Sequence, residues 1–103
     1  MSKPHFPGLI RGLPEFEGPF DAFRLAAEGC DVLFASYPAG TVIEAHTHPT
    51  RNVGVITEGE LILTKGDEVT RYGPGDWYEV LANEEHAARF DVATSEVEFW
   101  FDV

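Results

Sequence analysis

Apolar and polar positions alternate in short runs through most of the chain, and turn residues break the runs every few positions. β-Branched and aromatic residues at a period of two suit half-buried strands, because successive side chains point to opposite faces. The pattern predicts strands over 20–25, 32–37, 41–45, 53–57, 60–65, 68–72, 76–81, 86–90 and 96–103. Between them stand Pro38-Ala39-Gly40, Glu58-Gly59, Gly66-Asp67 and Gly73-Pro74-Gly75-Asp76. The last run alternates most cleanly: Val97, Phe99, Phe101 and Val103 share one face, and Glu96, Glu98, Trp100 and Asp102 share the other. Ala26-Ala27-Glu28 gives the one hint of helix, and it is too short to stand alone. Many short strands with close turns predict an all-β sandwich or barrel.

The start of the chain reads differently. Pro4, Pro7, Pro14 and Pro19 interleave with Gly8, Gly12 and Gly18, which predicts an extended arm over 1–19 ahead of a barrel domain over 20–103. Phe6, Leu9, Ile10, Leu13 and Phe16 are too many apolar groups for a free tail. They are expected to lie along the domain itself or along a neighbouring subunit. His5, inside the proline-rich stretch, is expected to be solvated.

At 103 residues the chain fits one domain. Eighteen acids against seven bases give a net charge of −11, which disfavours nucleic acid and anionic membrane surfaces as partners. Cys30 is the single cysteine, so no internal disulfide can form. No segment approaches the roughly 20 apolar residues of a spanning helix, and no leader-like stretch opens the chain. The expectation is a soluble, cytoplasmic protein.

Two of the histidines sit in one tripeptide, His46-Thr47-His48. At i and i+2 of an extended strand both imidazoles point to one face. His86 begins a distant strand. If the fold brings that strand alongside, three nitrogens could close on one divalent transition metal ion and leave positions open for water or substrate. The pair alone reads equally well as two solvent-facing histidines.

The surrounding spacing is Gly40-x5-His46-x-His48-x3-Asn52-x6-Gly59. It resembles the first conserved motif of the cupin family, G-x5-HxH-x3-E-x6-G, at every position but one. The second cupin motif, G-x5-PxG-x2-H-x3-N, is matched by Gly75 and His86, with Leu81, Asn83 and Phe90 in place of its proline, glycine and asparagine. The resemblance spans residues 40–90. It implies a double-stranded β-helix, or jelly-roll barrel, with His46, His48 and His86 as metal ligands inside its open end. It leaves the ion open among iron, zinc, nickel and manganese.

Asn52 stands where the family usually has a glutamate ligand. An amide oxygen is a neutral, weak donor, so Asn52 is expected as a marginal fourth ligand or as a partner of metal-bound water. Three neutral imidazoles leave the ion's charge uncompensated, which should attract an anionic ligand. Arg51 and Arg89 could pair with such a ligand, although the simpler reading of both is a solvated surface charge. The resemblance implies a metal-dependent enzyme on a small metabolite, such as a dioxygenase, isomerase or lyase. Its alternative is a non-catalytic module that binds or senses a small ligand with a weak or vestigial metal site.

Tyr37, Tyr78, Glu44 and Glu79 lie on strands near the motifs and are candidate acid–base partners. Glu44 shares parity with His46 and His48, though a rim or solvent position is its simpler reading. Phe34, Trp77, Phe99 and Phe101 read as core or barrel lining. Trp100, alone among acids on its face, reads as a contact surface or as a residue covered by the arm. With the apolar arm, it predicts a homodimer.

Overall fold

The computed structural model describes residues 6–102; His5 and Val103, both assigned from the sequence, lie outside them. Nine strands follow in chain order among the described residues: β1 (Asp21–Ala27), β2 (Cys30–Tyr37), β3 (Thr41–His46), β4 (Arg51–Glu58), β5 (Leu61–Lys65), β6 (Glu68–Tyr72), β7 (Trp77–Val80), β8 (His86–Phe90) and β9 (Thr94–Phe101). They form a five-stranded sheet ordered β1-β2-β9-β4-β7 and a four-stranded sheet ordered β3-β8-β5-β6. Every pairing is antiparallel. Each predicted strand is present, most with ends shifted by a residue or two. The helix hint at Ala26-Ala27-Glu28 falls instead on the end of β1 and its turn into β2.

The inner faces of the two sheets meet over a core that includes Leu33, Ile56, Leu61, Leu63, Val80 and Phe90. Burying such groups away from water is the main favourable term in closing the sandwich. Tyr37 stacks on Phe90 with ring centroids 4.1 Å apart, joining the sheets across this core. Gly40, Gly59 and Gly75 all adopt positive φ. At Gly59 the requirement is double, since a Cβ would also fall 2.3 Å from the Ala93 carbonyl oxygen. Asn83, which replaces a motif glycine, sits at φ 62°. Asparagine is the side chain that best tolerates that left-handed conformation, so the substitution preserves the turn.

The last strand corrects the sequence reading. Its parity is as predicted, but the inward face carries Glu96, Glu98 and Trp100. Glu96 and Glu98 are each 1% exposed. Phe99 and Phe101 face outward, and Trp77, stacked on Phe99 with centroids 6.1 Å apart, is 59% exposed. Trp77, Phe99 and Phe101 therefore do not line the barrel. Phe34 also sits on the outer side of its sheet, where Phe6 packs edge-on against it. Two carboxyls can occupy the interior because each accepts a hydrogen bond from a buried tyrosine.

The arm is not extended throughout. Gly8–Arg11 forms one helical turn, with the Pro7 carbonyl accepting from the Ile10 and Arg11 amides at 3.0 Å. Proline at a helix start loses nothing by lacking an N–H, since that donor would have no partner there. Beyond the turn the chain runs beside β1, with Phe16 N–H donating to the Ala22 carbonyl and Arg24 N–H to the Pro14 carbonyl. Phe16 and Phe20 pack against the core and Phe6 is buried, whereas Leu9 is 88% exposed. The arm thus lies on its own barrel.

Candidate metal centre

His46 closes β3 and pairs across the sheet with His86, which opens β8. The register of β3 slips between Ile43 and His46, and His48 lies two residues past the strand end, in the loop that leads to β4. The tripeptide is therefore not one regular strand, yet its two imidazoles still converge. Ring centroids are 4.4 Å apart for His46 and His86, 4.8 Å for His48 and His86, and 5.6 Å for His46 and His48. One ring nitrogen from each histidine lies within 4.8 Å of those of the other two.

Backbone carbonyls fix which nitrogen each ring offers. Nδ1 of His46 meets the Glu44 carbonyl at 2.8 Å, Nδ1 of His48 the Thr50 carbonyl at 2.9 Å, and Nδ1 of His86 the Glu84 carbonyl at 2.9 Å. A carbonyl accepts, so Nδ1 carries the proton in all three rings and the Nε2 lone pairs are left over. Nε2 of His48 is buried and has no hydrogen-bond partner among the described residues. The Asn83 amide donates to the His48 carbonyl at 2.8 Å, tying the loop before β8 to the loop after β3. Burial lowers the basicity of His86, against the opposing pull of its Glu84 carbonyl bond. Three imidazoles whose ligand nitrogens lie this close, each with Nδ1 held by a backbone carbonyl, suit a divalent transition metal.

Asn52 is buried on β4, opposite Trp100 on β9 and Val80 on β7. Its Nδ2 donates to the Phe99 carbonyl at 3.2 Å, and its side chain also hydrogen-bonds Tyr78. Trp100 lies edge-on to His48, centroids 4.9 Å apart, and its indole N–H donates to Glu98 Oε1 at 3.0 Å. It is part of the interior wall, not an outer contact surface.

Behind the histidines the barrel holds a cavity of about 160 Å³, lined by His46, His86, Asn52, Trp100, Tyr37, Tyr78, Glu96 and Glu98 among apolar groups from both sheets and from Phe20 of the arm. The Tyr37 hydroxyl donates to Glu98 and the Tyr78 hydroxyl to Glu96. Burial pushes both carboxyls above the usual carboxylate range and both phenols above theirs.

Of the candidate acid–base partners, Tyr37 and Tyr78 face this cavity and Glu44 and Glu79 do not. Glu44 is exposed. Glu79 pairs with Arg51 at 2.7 Å on the outer surface, and Arg89 pairs with Asp91 at 3.0 Å. Both arginines are surface charges and neither reaches the histidines. Cys30 starts β2, half-buried, with its thiol against the Asp31 carbonyl. The residues the sequence reading missed are Glu96 and Glu98. Their signal was the acid–x–acid–x–Trp alternation, read there as an outer face.

The sequence model of the family described as cupin domain matches residues 33–101. No functionally curated protein matches the sequence. Among solved structures, an RmlC-like cupin from Shewanella frigidimarina superposes with a TM-score of 0.79 at 16% identity, covering 96% of this chain and 91% of that one. KdgF from a Halomonas species gives a TM-score of 0.70 at 18% identity, covering 82% and 83%. The DMSP lyase DddQ from Ruegeria pomeroyi gives 0.71 at 23% identity, covering 89% of this chain and 53% of that one. At these identities the likeness is one of fold.

Proposed function

The chain belongs to the cupin domain family, and on that footing we propose that it is a metal-dependent enzyme acting on a small metabolite held inside the barrel. His46, His48 and His86 hold one divalent transition metal in this reading, with the Asn52 amide oxygen as a weak, neutral fourth donor. The observation that carries it is the set of three Nδ1–carbonyl bonds, which leaves Nε2 of each ring to serve as a ligand, in three histidines whose ligand nitrogens lie within 4.8 Å of one another. A bound ion would supply Lewis acidity at the histidine end of the cavity.

The chain's own residues supply the rest. Phe20, Phe90 and the aliphatic groups exclude water, and the Tyr37–Glu98 and Tyr78–Glu96 pairs hold protons within the same cavity. Groups that hold and exchange protons favour isomerase or lyase chemistry over dioxygenase chemistry. The fold shared with a DMSP lyase points the same way. A second reading, a module that binds or senses a ligand without transforming it, draws on one observation: both carboxyls are already satisfied by protein donors.

The outer face of the five-stranded sheet supports a homodimer. Leu25, Trp77 and Phe101 are exposed on it beside Phe99, giving an apolar surface that a second copy would cover.

The test is elemental analysis of protein purified without chelator or histidine tag. About one ion per chain supports the metal centre. Iron directs assays to oxygen consumption with thiols and diketones, and zinc, nickel or manganese directs them to elimination and isomerisation. Protein that neither carries nor takes up a metal would leave the histidines as part of a plain binding pocket.

A further inference from the structure

The three histidines are not held alike. His46 and His86 face each other across β3 and β8, so the sheet fixes both backbones. His48 lies in the loop after β3, outside any strand. The Asn83 amide ties its backbone at 2.8 Å, and the Thr50 carbonyl holds its Nδ1 at 2.9 Å. One bond at Nδ1 leaves a ring free to swing about that bond. The other end of the ring, Nε2, is buried and has no hydrogen-bond partner among the described residues. What packs on this ring from the opposite sheet is Trp100 of β9, with centroids 4.9 Å apart and planes at 65°. The third nitrogen is thus set by a loop and a neighbouring side chain. Its placement decides whether an ion meets three imidazoles or two.

We propose that Trp100 is the positioning residue of His48, and that the buried Glu98 carboxyl is what fixes Trp100. The role of His48 as a ligand rests on the metal reading above; the contacts that place its ring stand without it. Packing alone lets an indole choose among rotamers. Here its N–H donates to Glu98 Oε1 at 3.0 Å, which selects one orientation. The acceptor is only 1% exposed, so solvent has little access to that bond. Glu98 is itself held: Oε2 accepts from the Tyr37 hydroxyl, and the carboxyl hydrogen-bonds Glu96. Tyr37 in turn stacks on Phe90 in the core. A continuous line of contacts, Phe90–Tyr37–Glu98–Trp100–His48, therefore carries the rigidity of the core out to the loop. Acceptor chemistry decides which substitutions that line tolerates. Glutamine at position 98 still offers an oxygen to the indole, and leucine offers none.

Nuclear magnetic resonance of the metal-free protein tests this directly. Isotope labelling of the histidine nitrogens, in buffer above the usual imidazole titration range, reads the tautomer of each ring. His48 in the wild type should show the single Nδ1–H form. Trp100→Phe removes the indole N–H and Glu98→Leu removes its acceptor. Each should turn the His48 signals into a mixture of tautomers or broaden them, while His46 and His86 keep theirs. Glu98→Gln should retain the wild-type pattern. Zinc affinity, by competition with a chromophoric chelator, should fall roughly tenfold in the first two variants and hold in Glu98→Gln, as expected for groups that orient a metal ligand. If Glu98→Leu does not fold, Trp100→Phe carries the test by itself. Unchanged His48 signals in Trp100→Phe, an unchanged zinc affinity, or equal disturbance of all three histidines would each overturn the proposal; the last marks general loosening. A wild type that takes up no zinc removes the metal reading alone, and a His48 tautomer that still answers to Trp100→Phe then upholds the positioning of the ring.

Discussion

The Tyr78 ring fills the space over Gly54: a Cβ built on Gly54 would lie 2.5 Å from Tyr78 Cε2. The two residues face each other across β4 and β7, so the missing side chain lets the phenol lie across the sheet and reach Glu96. Gly54→Ala should displace the ring and cost roughly 1–3 kcal/mol, as overpacking in a closed core does. Tyr78→Phe keeps the ring and removes the hydroxyl that donates to Glu96, which should also destabilise the fold. Urea unfolding of both variants checks this. A Gly54→Ala midpoint equal to that of the wild type would show that the ring can move aside.

His48→Ala should release the metal and leave the barrel folded. His48 sits in a loop and its side chain touches Trp100 and the other histidines, so its loss opens the mouth and not the core. Metal per chain by elemental analysis should fall from about one toward zero, with an unchanged far-ultraviolet circular dichroism spectrum. Stoichiometric metal in this variant would mean that another group, or only His46 and His86, holds the ion.

Asn52→Glu restores the charge usual at this position in the family. The position is buried and borders the cavity beside His46 and His86, so a carboxylate there would face the ion. Metal affinity should rise, by at least tenfold in competition with a chromophoric chelator, because an anionic oxygen replaces a neutral one. Unchanged or weaker affinity would place Asn52 away from the ion. Its amide would then serve to tie β4 to β9 through the Phe99 carbonyl and to hold Tyr78 on β7.

Much of this was legible in the sequence because its signals are local. Alternation and turn residues locate strands, and the glycine and histidine spacing around residues 40–90 points to the barrel and the three imidazoles. The direction of β9 was not legible. Alternation tells which residues share a face but not which face is inside, and two glutamates argue for the outside unless partners are known. Those partners, Tyr37 and Tyr78, are 61 and 18 residues away from Glu98 and Glu96. Only the strand order β2-β9-β4-β7 brings them together. The same inversion left Trp77 and Phe99 on the outer surface, where the sequence placed core.

That outer surface gives a direct test of association. Trp77 is exposed and stacks on Phe99, away from the cavity. Trp77→Glu should leave metal content and circular dichroism unchanged and convert a dimer to a monomer by light scattering after size exclusion. A wild-type chain that already runs as a monomer at micromolar concentration would remove the homodimer proposal.

The buried carboxyl pair should tilt the pH dependence of stability in a direction opposite to that of ordinary paired acids. Burial raises the folded-state affinity of Glu96 and Glu98 for protons, whereas in the unfolded chain both titrate near the ordinary value of 4.5. Below that value both states are protonated and the pair contributes no slope. Above it the folded state binds more protons than the unfolded one, so stability falls as pH rises, by at most about 1.4 kcal/mol per pH unit for each proton. His86 acts the other way: burial lowers its folded-state basicity, so its cost grows as pH drops below 6.5. That contribution is common to wild type and to a Glu96→Gln, Glu98→Gln double variant, and it cancels in their difference. Urea unfolding of the two metal-free proteins between pH 5 and pH 8 should therefore show the wild type losing stability relative to the variant as pH increases. Parallel curves would mean that the folded pair ionises as readily as it does in the unfolded chain, and that the tyrosine hydroxyls fully offset its burial.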